Sequence, residues 1–203
     1  MIRCAVLVAG LLSACAPKGP QRPPDLEAAY ARLQREPGRA EPYLELARLY
    51  LRRGDYLRAR QYLAVADQLP VRDARAAFRL AVTIAVRSEQ YDEAIARCRR
   101  QLEHEESTDI RLLMASLLEA TGRWSEAERE RRLVLQARPQ DLHQIIEMAR
   151  FYQRSGQPDA NERAAALYRR YLELAPQGDE APQARAALSA ISLSEAARQP
   201  EER

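Results

Sequence analysis

Glycine is scarce in this chain: seven in 203 residues, beside twelve prolines and an aromatic content of 6%. So little glycine and proline excludes a turn-rich β protein and a low-complexity tail. Histidine occurs only at 104 and 143, and neither has a Cys or second His at metal-ligand spacing. A Gly-rich phosphate loop and a Gly-x-Ser-x-Gly nucleophile turn are both missing. The tract Glu103-His104-Glu105-Glu106 reads as a solvated loop, and Glu126 with Glu130, one helical turn apart among arginines, as a solvated helix face. No metal, no cofactor and no enzymatic activity are therefore expected. Lysine is nearly absent, since Lys18 is the only one among 32 Lys and Arg. Against 29 acidic residues the net charge is just +3, which gives no electrostatic case for nucleic acid, and nothing points to a small-molecule substrate.

A long hydrophobic run is also missing. Ala5–Leu12 is apolar for only eight residues behind a basic Arg3, far short of the roughly 20 needed to cross a bilayer. That pattern is a signal-peptide core. It ends in Leu12-Ser13-Ala14-Cys15, which resembles the lipobox of bacterial lipoproteins. The resemblance implies cleavage after residue 14, a diacylglyceryl thioether on Cys15, and an acylated amino terminus of the palmitate type. Cys4 leaves with the leader and Cys98 stays alone, so no internal disulfide is expected. Two or more acyl chains would hold the protein on a bilayer without spanning it. Ala16, rather than Asp, after the Cys resembles the outer-membrane sorting pattern. Residues 15–24 then form the lipidated Cys and a proline-rich tether, because four prolines in 16–24 prohibit a helix and favour polyproline II, about 3.1 Å per residue.

What the chain does have is a period. Ala47, Ala81, Ala115 and Ala149 are each 34 residues apart, preceded by Leu46, Leu80, Met114 and Met148 and followed at i+3 by Tyr50, Ile84, Leu118 and Tyr152. Gly54, Gly122 and Gly156 keep the same spacing, with Ser88 in the missing place. After each comes a second apolar stripe: Tyr56/Ala59/Leu63/Ala66, Tyr91/Ala94/Cys98, Trp124/Ala127/Val134 and Ala164/Tyr168/Tyr171. Two amphipathic helices per 34 residues predict an α-solenoid. Tyr43-x2-Leu46-Ala47-x2-Tyr50-x3-Gly54-x-Tyr56-x2-Ala59 and Met114-Ala115…Gly122-x-Trp124-x2-Ala127…Pro139 closely resemble the tetratricopeptide repeat. The resemblance implies an all-α, right-handed α-solenoid of helix-turn-helix repeats over 40–176. A half-repeat helix (25–39) precedes it, and a capping helix (177–193) and a polar tail (194–203) follow. The second repeat carries one extra residue before Tyr91 and the fourth an insertion of three within 157–163. Arg111 and Arg131 fall where the pattern is usually apolar and are expected to snorkel outward.

In this fold the first helix of each repeat lines the concave face. The corresponding positions are Leu44, Phe78, Leu112 and Ile146; Arg48, Val82, Ser116 and Arg150; and Arg52, Val86, Ala120 and Arg154. They predict an apolar middle flanked by arginine pairs, suited to an apolar peptide or helix with flanking carboxylates. The alternative is ordinary surface arginine, with Glu45 and Glu147 nearby. The asparagine clamp for cytosolic chaperone tails is excluded, since Asn161 is the only Asn. Together the resemblances imply a periplasm-facing outer-membrane lipoprotein that docks other envelope proteins. In plan it looks like the pilus-biogenesis, pilotin-type lipoproteins that help a secretin assemble. The alternative is an adaptor for peptidoglycan hydrolases or for a motility or export complex.

Overall fold

The apolar periodicity becomes ten helices among the described residues, 23–198, of the computed structural model. They are α1 (Pro24–Arg35), α2 (Ala40–Arg52), α3 (Tyr56–Ala66), α4 (Ala74–Arg87), α5 (Tyr91–His104), α6 (Thr108–Ala120), α7 (Trp124–Ala137), α8 (Leu142–Ser155), α9 (Ala160–Leu174) and α10 (Ala181–Arg198). No strand occurs among the described residues. The leader, Cys15 and most of the tether lie outside them. Two compact units divide within α4, between Leu80 and Ala81.

Short polar side chains fix where the helices begin. Asp55 accepts from the Arg58 N–H at 3.0 Å, Asp73 from Ala76 at 2.8 Å, and Asp141 from Gln144 at 3.1 Å. Each satisfies a donor that the first turn would leave unpaired. Pro24 opens α1, where its missing N–H costs nothing.

In the first unit, α1 packs on the α2–α3 pair through Leu26 and Ala29, both buried. The pair closes over Leu46, Ala47, Ala59 and Leu63. Tyr30 completes it: its hydroxyl is 2.8 Å from that of Tyr50 and 2.7 Å from that of Tyr62, and the Tyr50 and Tyr62 rings stack at 5.6 Å. In the second unit the marker alanines Ala81, Ala115 and Ala149 are all buried. Each admits a neighbouring backbone that a larger side chain would hold off. Ala94, Ala127 and Ala164 do the same from the second helices, and Ala184 and Ile191 bury the inner face of α10. Helix α10 runs past residue 193 to Arg198.

The turns depart from the sequence reading in two places. Gly54 and Gly122 adopt φ of +74° and +73°. Nested bonds close each turn, Gly54 N–H to Leu51 O and Asp55 N–H to Tyr50 O, then Gly122 N–H to Glu119 O and Arg123 N–H to Leu118 O. This is the left-handed helix stop that glycine adopts at least cost. In the second repeat the same pair of bonds runs from Glu89 to Val86 and from Gln90 to Ala85, and Glu89 holds φ +59°. The turn residue is therefore Glu89, not Ser88, because the extra residue lengthens α4 before the chain reverses. Ser88 instead donates its hydroxyl to Ile84 O at 2.7 Å, as Thr121 does to Leu117 O at 3.1 Å. In the fourth repeat two of the three inserted residues extend the turn after Gly156, and the third, Ala160, joins the start of α9.

Arg111 and Arg131 do not reach open water. Arg131 is 10% exposed and paired at 2.5 Å with Glu119, itself 12% exposed. Arg111 holds Glu130 at 2.6 Å and also Glu106. Glu130, read as part of a solvated face, is thus tucked against α6, while Glu126 is exposed and bonded to Arg99 and Arg123. Carboxylates on adjacent helices satisfy the guanidinium groups in place, which removes the drive to snorkel.

Candidate functional site

Apolar residues on α2 and the first turn of α4 meet at a cleft of about 320 Å³ in the first unit. Leu44 and Arg48 line it from α2, and Val71, Ala76 and Ala77 from the α3–α4 connection and α4. Small alanines keep the floor open. Its polar rim is largely satisfied: Arg32 pairs with Glu45 at 2.8 Å, and Glu41 accepts the Arg72 N–H at 3.0 Å. The Glu41 carboxyl is held below its ordinary value by its own backbone N–H and then by that of Arg72. Asp73 is spent capping α4. Arg48 is the exception. It is exposed, and among the described residues no carboxylate pairs with it.

Of the twelve positions read as the partner surface, Leu44 and Arg48 line this cleft, and Ala120 is exposed at the last residue of α6. Phe78 is half-buried on α4 and does not line it, and Arg52 sits exposed at the last residue of α2, beside the α2–α3 turn. In the second unit Val82 and Ile146 are core residues, at 4% and 1% exposure. They have no surface for a partner, which corrects their placement as lining. Val86 and Leu112 are half-buried, and Ser116 is exposed with its hydroxyl bonded to Leu112 O. The arginines there are engaged. Arg150 donates to Glu147 at 2.9 Å and Glu180 at 2.5 Å, and Arg154 to Glu119 at 3.0 Å. The Arg150 guanidinium is pushed up from its ordinary value by these carboxylates, Glu147 foremost.

The two predicted arginine pairs thus differ: one is consumed in internal ion pairs, the other has charge to offer. Sequence spacing missed Val71, Ala76 and Ala77, because a connecting segment supplies part of the wall. The two alanines just before Phe78 were the available signal. Among the described residues no group of three His, Cys, Asp or Glu is placed to hold a metal, and no helix is long and apolar enough to cross a membrane.

A family model described as "Tetratricopeptide repeat" matches residues 85–145. The crystal structure of YrrB, a TPR protein with an unusual peptide-binding site, superposes with a TM-score of 0.58 at 19% identity, over 79% of this chain and 81% of that one. The fold is that of tetratricopeptide-repeat proteins. The MamA crystal structure covers 75% of this chain and 81% of its own at a TM-score of 0.57 and 16% identity. PilW, whose crystal structure is described as that of a widely conserved type IV pilus biogenesis factor, covers 85% and 84% at a TM-score of 0.52 and 15% identity. No curated protein sequence matches the chain. Leu44 and Arg48, one helical turn apart on α2, share a face of that helix, and both line the cleft.

Proposed function

We propose that this protein is a non-enzymatic interaction scaffold, tethered to the outer membrane through lipid on Cys15, that helps an envelope machine such as a type IV pilus secretin to assemble. The observation that carries the binding half is Arg48: an exposed guanidinium without a described carboxylate partner, beside Leu44 and two alanines in an open cleft. Such a site takes an apolar side chain followed by a carboxylate from an extended or helical segment. The apolar group gains burial and the carboxylate a charge-assisted bond. The ion pairs of Arg150 and Arg154 give those two residues internal work instead.

The anchoring half rests on Leu12-Ser13-Ala14-Cys15 behind an eight-residue apolar run. The fold shared with PilW, described as a type IV pilus biogenesis factor, supports the pilus reading, and an adaptor for peptidoglycan hydrolases or for a motility or export complex is the alternative. A photo-crosslinking amino acid at position 44 in the native envelope tests it, with position 193, an exposed site on α10, as the control. Secretin or pilus components joined at 44 and absent at 193 are expected. Equal patterns at the two sites would refute the cleft, and cell-wall hydrolases at 44 would move the protein to the adaptor class. Cys15→Ala should release the chain from the membrane fraction, and unchanged fractionation would refute the anchor.

A further inference from the structure

Between α7 and α9, the second helices of the third and fourth repeats, lies a groove of about 380 Å³. Met148 and Tyr152 of α8 form its floor, and Leu135, Ala166 and Leu167 give it apolar sides. Glu128 is the one carboxylate among its lining residues, 13% exposed, and three groups converge on a single oxygen of it. The Tyr152 hydroxyl donates to that oxygen at 2.9 Å and the Arg163 guanidinium at 3.1 Å. Arg132 stays 3.9 Å away, beyond hydrogen-bond reach, and is 61% exposed. Its donors find no acceptor among the described residues. Arg163 lies over the Tyr152 ring, 5.6 Å from the centroid, which holds its guanidinium at the mouth of the groove. Three residues before Arg132, exposed Arg129 shares with it a shallow depression along α7 and has no carboxylate partner among the described residues.

We infer that the α7–α9 groove is a second docking site, and that its occupant is an acidic amphipathic helix of a partner protein. The charge balance selects an acidic occupant. Glu126, Glu130 and Arg131 are engaged by groups off these two helices. The remaining charges on α7 and α9 are five arginines (129, 132, 163, 169 and 170) against three carboxylates (Glu128, Glu162 and Glu173). Glu162 lines the pocket at the α8–α9 turn instead, and Arg170 donates to Pro139 O. At the groove itself one shared carboxylate therefore faces Arg132 and Arg163, with Arg129 beside them. Incoming carboxylates supply the acceptors that Glu128 cannot. The walls are helix flanks, which offer no backbone edge to an extended strand, so recognition falls to side chains in the manner of a helix laid in a groove. Aliphatic side chains of that helix meet Leu135, Ala166 and Leu167, and its glutamates, one turn away, meet the arginines. The site is independent of the first-unit cleft, because it is built from other residues on second helices.

The test uses the full-length protein in a neutral detergent and a synthetic helical peptide carrying two leucines one turn apart, flanked by glutamates. Fluorescence anisotropy of the labelled peptide reads binding, and the methyl resonance of Met148 reports occupancy of the groove floor. Binding with a shift of that resonance is expected. Affinity is expected to fall about tenfold in Arg132→Glu, which reverses a rim charge, and in Ala166→Glu, which fills the groove. Both positions are exposed, so the two variants keep the parent's melting midpoint. Arg48→Glu, in the first-unit cleft, is expected to bind as the parent does, and a peptide with lysines for glutamates is expected not to bind. No binding by the parent, equal binding by Ala166→Glu, or release by Arg48→Glu alone would overturn the inference. Phosphatidylglycerol vesicles captured through Arg132 when the peptide is not would overturn it too, and would assign these arginines to a lipid surface.

Discussion

The guanidinium of Arg131 lies 5.6 Å from the centroid of the Phe151 ring, on the neighbouring helix pair, while its nitrogens hold Glu119 on α6. Glu119 also receives Arg154. One carboxylate thus neutralises two arginines at a place where the repeat pattern normally puts an apolar contact. Removing it leaves the largely buried Arg131 charge uncompensated. Glu119→Ala is expected to lower unfolding stability by about 2–4 kcal/mol, measured by urea denaturation, and more than Arg154→Ala does. Equal, small effects would assign the pair to the solvated surface.

Ala115 is fully buried at the crossing of α6 with its partners. Ala115→Leu inserts a side chain for which no space exists, and is expected to cost about 1–3 kcal/mol. An unchanged urea midpoint would show that the crossing is looser than the packing implies.

Among the described residues, Glu89 is the one such turn without glycine, at φ +59° beside +74° at Gly54 and +73° at Gly122. A side chain there costs about 1 kcal/mol. Glu89→Gly is therefore expected to raise the melting midpoint, whereas Gly122→Ala lowers it. Ser88→Gly should not stabilise, because Ser88 directly follows α4 with its N–H on Ile84 O and would lose the hydroxyl bond to the same oxygen. A gain from Ser88→Gly equal to that from Glu89→Gly would reverse the assignment of the turn.

The hydroxyl of Tyr30 serves two others at once. Tyr30→Phe keeps the ring but deprives Tyr50 and Tyr62 of that partner, at a cost of about 1–2 kcal/mol. Hydrogen exchange should localise the loss to α1, α2 and α3. Uniform protection throughout would show that the hydroxyls contribute nothing to the docking of α1.

Burial pushes the Cys98 thiol up to about 11, from an ordinary value of 9.0. Folding thus favours the neutral thiol. Its contribution is complete below pH 9 and is lost as pH rises from there toward 11, because the unfolded chain ionises first. At pH 8 a thiol reagent is expected to react with Cys98 only along the urea unfolding curve. Fast reaction in native buffer would contradict its burial.

The period of 34, the marker alanines and the glycine spacing determined the fold class, because each encodes a local requirement: helical amphipathicity, close approach, or a left-handed stop. The first-helix face was legible for the same reason, down to Leu44 and Arg48 in the cleft. Tertiary structure decided the rest. Whether Glu89 or Ser88 turns the chain depends on where the nested bonds close, and one extra residue moves that point without changing composition. Val82 shares a register with exposed Arg48 and Ser116, and Ile146 with half-buried Leu44, Phe78 and Leu112, yet both are covered, since depth depends on how closely the packed helices approach. The fates of Arg48, Arg131 and Arg154 diverge although their sequence surroundings look alike. A guanidinium is spent or available according to which carboxylate the packing brings within about 3 Å, and that distance is not a property of either residue alone.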